Sequence, residues 1–323
     1  MNLDEFKALV SDANLAPSVH NTQPTRWRLD GEGRVLVLED VSRRLPVGDA
    51  AGRDAAVSHG AAIEGFALAC AGRSLDIEKL SGAAARGLRP VARLTIGERD
   101  ETDPLHGLVA RRRTYRGVFE KTDNAARLEA LNAKDVLVVR SSDAIAQFAQ
   151  WNDEAGLRTF RNKAYRAELV SWMRLSHSHP SWALDGLNAE AMEMSRFEAF
   201  GAGIVLKPGV FEALDRLGIA RAFVAEAPVV RSAQAIALFH RPAEEDPLLT
   251  GRRFYRLWLE FAKLGASAAP MAVLADDEDT RAHIAREFGL AADRRLITAF
   301  RLGTAPQRAL GPKPRLPLGA LIV

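Results

Sequence analysis

Apolar positions along the chain switch between two spacings, and the switches outline the elements. Leu3, Phe6, Leu9 and Val10 recur at helical spacing, and Pro17 drives Ala16 out of the α region, so this opening helix stops there. Residues 34–39 carry an unbroken apolar run between glycines and polar residues, the mark of a buried strand. Residues 54–71 bring Val57, Ala61, Phe66 and Cys70 near one helical face, with Gly72 as a C-cap. Residues 90–96 alternate as a half-buried strand does. The hydrophilic stretch 97–103, closed by Pro104, divides the chain into halves 1–103 and 104–323. The pattern then predicts a helix from Pro104 into Arg111-Arg112-Arg113, a helix over 123–132 and a strand over 136–139. Residues 143–200 read as largely helical and rich in Trp, Met and His, with an irregular break at 176–182. Further on it predicts a strand over 233–239, an amphipathic helix over 252–264 closed by Gly265, and a strand over 271–275. A helix over 279–288 and a strand over 296–302 follow. The Pro-rich tail 311–318 is extended and unfit for a central strand. Gly52-Arg53 and Gly251-Arg252 each precede a helix, a glycine and a strand, a faint internal echo.

A hydrophobic content of 47% with 26% charged residues is that of a water-soluble globular chain of one large or two smaller units. No apolar run reaches the length of a membrane span, so no membrane partner is expected. The acidic, amphipathic start lacks the pattern of a secretion signal. Cys70 is the only cysteine, which leaves no intrachain disulfide and fits a reducing cytoplasm. His177 and His179 lack a third ligand nearby, so no metal is expected. A net charge of +3 with scattered arginines argues against a nucleic-acid face.

Two clusters carry chemistry. Residues 13–24 pack two asparagines, two prolines, Ser18, His20, Thr22 and Gln23 behind the opening helix. Such a loop turns sharply and offers short polar groups and backbone N–H groups, suited to the edge of a flat heterocycle. The second cluster, Arg111 to Phe119, holds four guanidiniums and Thr114 within six positions. It is either a solvated helix end or a fork for a phosphate dianion.

The run Ala16-Pro17-Ser18-Val19-His20-Asn21-Thr22-Gln23-Pro24 resembles the A-P-S-x-x-N-x-Q-P-W segment of the nitroreductase family, with Thr25 in place of Trp and Trp27 two residues on. Residues 112–116 resemble that family's basic phosphate motif. The resemblance implies an α+β, nitroreductase-like fold of mainly antiparallel sheets flanked by helices, holding FMN. It assigns Pro17, Ser18, His20, Asn21 and Gln23 to the flavin ring, and Arg112, Arg113 and Thr114 to the phosphate and ribityl side. Arg116 goes to the N1/O2 edge, Ser267 to a loop beside the ring, and Lys313 and Arg315 to the phosphate. His20 is a weak proton-donor candidate; otherwise no catalytic side chain is implied, since the flavin carries the chemistry.

In the family the phosphate motif comes first; here the ring loop does, about a hundred residues ahead. That order resembles the Acg-like branch, single chains in which two fused halves form an internal pseudo-dimer. A shortened half, 1–103, would keep the ring loop; a longer half, 104–323, would keep the phosphate site and a candidate lid near 172–200. The implied activity is an NADPH- or NADH-dependent oxidoreductase passing hydride through FMN to a nitroaromatic or quinone. The alternative is an FMN store closed by its lid. The chain would act as a monomer or pair again as a homodimer.

Overall fold

The computed structural model describes residues 1–99, 101–122, 125–307 and 313–323. The opening helix, Leu3–Ala13, is capped by the Asn2 side chain, which accepts from the Glu5 amide, and it buries Phe6, Leu9, Val10 and Ala13. Strands β1 (Thr25–Leu29), β2 (Val35–Asp40), β3 (Arg73–Lys79) and β4 (Leu88–Arg99) form one antiparallel sheet, ordered β1-β2-β4-β3. Strands β5 (Val136–Val139), β8 (Ala235–Pro242), β9 (Ser267–Met271) and β10 (Arg294–Gly303) form a second, ordered β5-β8-β10-β9. Between them in sequence, β6 (Met173–Arg174) and β7 (Leu187–Asn188) make a short parallel pair.

The two sheets repeat one topology: β1, β2, β3 and β4 stand in the order of β5, β8, β9 and β10. In each, a 17-residue helix joins the second strand to the third: Arg53–Ala69 and Pro247–Lys263. These two helices cross at glycines. A Cβ on Gly60 would lie 2.1 Å from the Leu248 carbonyl oxygen, and one on Gly251 would lie 2.1 Å from that of Val57. Beside the crossing, Glu64 is buried and accepts from Arg252 at 2.6 Å and Arg256 at 2.8 Å. The expected α+β class with antiparallel sheets and flanking helices is what the chain adopts.

Residues of the second half also build the first core. Leu105, Val109, Tyr255, Leu316 and Leu321 pack with Phe6, Trp27, Ile63 and Phe66. The segment ending at Val323 runs back to β1, where Ile322 bridges Trp27 and the Val323 amide donates to the Trp27 carbonyl. Trp27 stacks on Phe66 in this core at 5.2 Å and also lines a small cavity together with Ala16, Pro17, Ser18 and Gln23.

Several expectations need correction. The helix from Pro104 is a 3-10 turn over Pro104–Leu108, and the arginine triplet lies in the turns beyond it. Residues 271–275 are not a strand. β9 ends at Met271 and a short helix, Val273–Asp276, follows, so Ser267 stands in a strand paired with Gly303 rather than in a loop. Strands β1 and β3 went unread because arginines and acids interrupt their apolar positions. Of the helix expected over 123–132, residues 123–124 lie outside the described residues. So do residues 311–312 of the tail and residue 100 of the hydrophilic stretch.

Candidate functional site

The loop after the opening helix is bent three times into the left-handed region: His20 at φ 44°, Asn21 at 54° and Gln23 at 49°. None is glycine, and each such residue costs about 1–2 kcal/mol unless its surroundings hold it. They do. The Gln23 amide donates to Ser18 Oγ at 2.9 Å, and the Val19 amide donates to Ser58 Oγ at 3.1 Å. Gln23 Nε2 donates to the Leu184 carbonyl at 2.8 Å, and Gln23 Oε1 accepts from the Leu316 amide at 2.8 Å. Asn21 Nδ2 donates to the carbonyls of Gly186 (3.3 Å) and Pro314 (3.2 Å). Pro17, Ser18 and Gln23 also line a cavity of about 20 Å³ behind the loop, room for one water.

Arginines converge on this loop from both ends of the second half. Arg315 donates to the carbonyls of Asn14 (2.5 Å), Leu15 (3.2 Å) and Ala16 (3.4 Å), and to Asn21 Oδ1 at 3.0 Å. Arg112 is buried and donates to the Leu15 carbonyl at 3.0 Å, its guanidinium 4.8 Å from the Trp258 ring centroid. Its Nε and Nη1, and those of the half-buried Arg113, are shielded from solvent and lack hydrogen-bond partners. Arg116 donates to the Ala191 carbonyl at 3.4 Å and lies close enough to His20 to repel a proton there. Desolvation, its largest cause, together with Arg116 pulls the His20 imidazole down to about 4, which favours a neutral ring at neutral pH.

Desolvation also lowers Arg112, Arg113 and Arg116, and takes Arg315 down to about 9. All four remain charged at neutral pH, and they repel one another. Among the described residues no carboxylate pairs with any of them; Glu226 acts on Arg116 only at longer range. Buried cations are ordinarily paired. The cluster therefore has the charge and the free donors of an anion site, and its donor set fits a phosphate.

Thr114 lies beside β9, bridged to Ala268, next to Ser267. Lys313 is set apart: its ammonium donates to the Ala110 carbonyl at 2.7 Å. Residues 183–191 lie over the ring loop. They are fastened there by Arg43, which donates to Thr22 O (2.7 Å) and Asp185 (3.0 Å), and by Arg174, which holds Asp185 at 2.9 Å. Sequence reasoning missed this Arg43–Asp185–Arg174 clamp, whose members are 142 and 11 residues apart. It also missed Arg301, buried in β10, which donates to the carbonyls of Tyr115 (3.0 Å) and Gly117 (2.9 Å) and so fixes the turn that carries Arg116. An arginine inside an otherwise apolar strand was the available signal for it.

No protein-family model matches the chain. A 78-residue stretch, 24% of this chain, is 38% identical to Acg of Mycobacterium tuberculosis, named as an NAD(P)H nitroreductase, and spans 23% of that protein's length. By structure, the chain is similar to the FMN-dependent nitroreductase NfnB of Mycobacterium smegmatis, solved with NADPH, at 20% identity. That match covers 66% of this chain and 94% of the other, with a TM-score of 0.37. It is also similar to a protein from Anabaena variabilis described as a nitroreductase, at 10% identity, covering 94% of this chain and 88% of the other, with a TM-score of 0.48.

Proposed function

We propose that the protein is a nitroreductase-like flavoprotein that binds one FMN and accepts hydride from NADPH or NADH, for delivery to a nitroaromatic or quinone. The observation that carries this reading is the cluster of Arg112, Arg113, Arg116 and Arg315, desolvated and without carboxylate partners, against a loop held in left-handed conformation. Arg112, Arg113 and Thr114 would take the phosphate and ribityl chain, with Arg315 and, at the margin, Lys313. Pro17, Ser18, Asn21 and Gln23 would read the ring edge. FMN, when bound, supplies the two-electron chemistry. Arg116 supplies a fixed positive charge that favours an anionic ring edge, and neutral His20 adds no second charge beside it. Ser267, in β9, would contribute from beside Thr114.

On this reading residues 1–103 and 104–323 are the two halves of an internal pseudo-dimer, and the chain works as a monomer or a homodimer in a reducing cytoplasm. The substrate would be a small molecule. One observation favours a second reading, an FMN store: residues 184–186 hydrogen-bond directly to Asn21 and Gln23, over the loop expected to face the ring. Anaerobic titration of FMN-loaded protein with NADPH and with NADH separates the two. Bleaching of the yellow band within seconds supports the oxidoreductase. A bound flavin bleached only by dithionite supports the store.

A further inference from the structure

The first three of the four short helices between β7 and β8 are Arg196–Val205, Val210–Arg216 and Ala220–Val224. They close over a small core of Val205, Phe211 and Ala220 and rest on the helix Ser142–Arg161 through Leu157 and Phe160. Their outward side is apolar. Phe197 is 89% exposed, Phe200 73%, Leu217 72% and Phe223 57%, with Ile204 and Ile219 also exposed. Six of the thirteen large exposed apolar side chains among the described residues fall between positions 197 and 223, so the enrichment is local. Phe197, Phe200 and Ile204 stand at i, i+3 and i+7 and form one stripe of their helix. Together the three phenylalanines expose on the order of 400 Å², within the range of the largest apolar patches of monomers, which are often functional.

The charges around the patch select the partner. Its three acids are engaged: Glu198 by the Ser195 amide, Glu212 by Arg166 and the Gly209 amide, and Asp215 by Arg161. Arg196, Lys207, Arg216 and Arg221 are exposed and form no ion pair among the described residues. A second copy docked face to face would bring eight such cations together. A surface that is apolar in depth and anionic at its rim would satisfy both features at once.

We propose that these three helices are a peripheral docking surface for anionic lipid, with Phe197, Phe200, Leu217 and Phe223 entering the headgroup boundary and the four cations meeting lipid phosphates. Such a face lies on a bilayer and does not cross it. The absence, among the described residues, of a helix long and apolar enough to span a membrane therefore does not bear on it. The surface is separate from the flavin reading and stands or falls without it.

The test is co-sedimentation of the full chain with vesicles of phosphatidylcholine alone and of phosphatidylcholine with 30 mol% phosphatidylglycerol, at low and high salt. The expected result is at least about tenfold more protein pelleting with the anionic vesicles, reversed by salt. Phe197→Ser/Phe200→Ser and Arg216→Glu/Arg221→Glu should each remove that gain while leaving the circular-dichroism melt unchanged. Equal pelleting with both vesicle types, or an unaltered gain in both folded double variants, overturns the proposal. So does a dimer in analytical ultracentrifugation that Phe197→Ser/Phe200→Ser disperses, since that assigns the patch to a second copy.

Discussion

Replacing Gly60 with alanine tests whether the contact between the two helices is as close as described. Alanine in place of glycine inside an exposed helix gains up to about 1 kcal/mol. At Gly60 the added Cβ would meet the Leu248 carbonyl oxygen at 2.1 Å and Gly251 Cα at 3.0 Å, against 3.4 Å for an ordinary contact. The obstacle is backbone, so no side chain can swing aside; the helices must part by about 1.3 Å, the difference between 3.4 and 2.1. Overpacking of this kind costs about 1–3 kcal/mol. Parting also stretches the buried hydrogen bonds from Arg252 and Arg256 to Glu64. The net expectation for Gly60→Ala is a loss of about 2 kcal/mol or more in equilibrium urea unfolding, with a similar loss for Gly251→Ala. Gly201→Ala is the contrast. That glycine sits in an exposed helix with nothing within 4 Å of its added Cβ, and alanine there should stabilise by up to about 1 kcal/mol. A Gly60→Ala protein as stable as the parent would show that the helices do not cross this closely.

Other perturbations have equally definite signs. Arg112→Ala with Arg315→Ala should abolish FMN retention through gel filtration; undiminished retention would put the phosphate elsewhere. Between pH 6.5 and about 4 the unfolded chain binds a proton on His20 that the folded chain refuses. Apoprotein stability should therefore rise with pH across that window, by about 3 kcal/mol at most, and be lost as pH falls. His20→Gln should flatten that slope in urea titrations at pH 4.5 and 7, and an unchanged slope would assign the pH dependence to other groups. Glu64→Ala leaves Arg256 with Asp103 alone and Arg252 without its partner. It should cost about 3 kcal/mol in the same urea assay, and a cost near zero would mean solvent reaches the pair.

What could be read in advance follows the range of the forces involved. Helices 3–13, 53–69 and 247–263 announced themselves because their periodicity is local. The ring loop was visible as a composition, but its three left-handed residues were not. Asn and His tolerate positive φ better than most residues, but nothing in Gln23 asks for it; residues 184–186 and 314–316 hold the loop from far along the chain. Arg112 and Arg315 were legible through resemblance, while their lack of carboxylates depends on tertiary placement. Strand β9 was displaced because Ala266-Ser267-Ala268-Ala269-Pro270 has little strand propensity. It is held by its ladder with β10 and by the bridge from Thr114. Clamp residues Arg43, Arg174 and Asp185 are ordinary charged residues until the fold brings them together.

The arrangement of Arg315 bears on how the protein is made. The loop at 14–23 is braced by a side chain about three hundred residues further along the chain. Without residues 314–316 the bent loop lacks what holds it. A ribosome-stalled nascent chain ending before residue 313 should emerge without bound ligand, however much of both sheets has already formed.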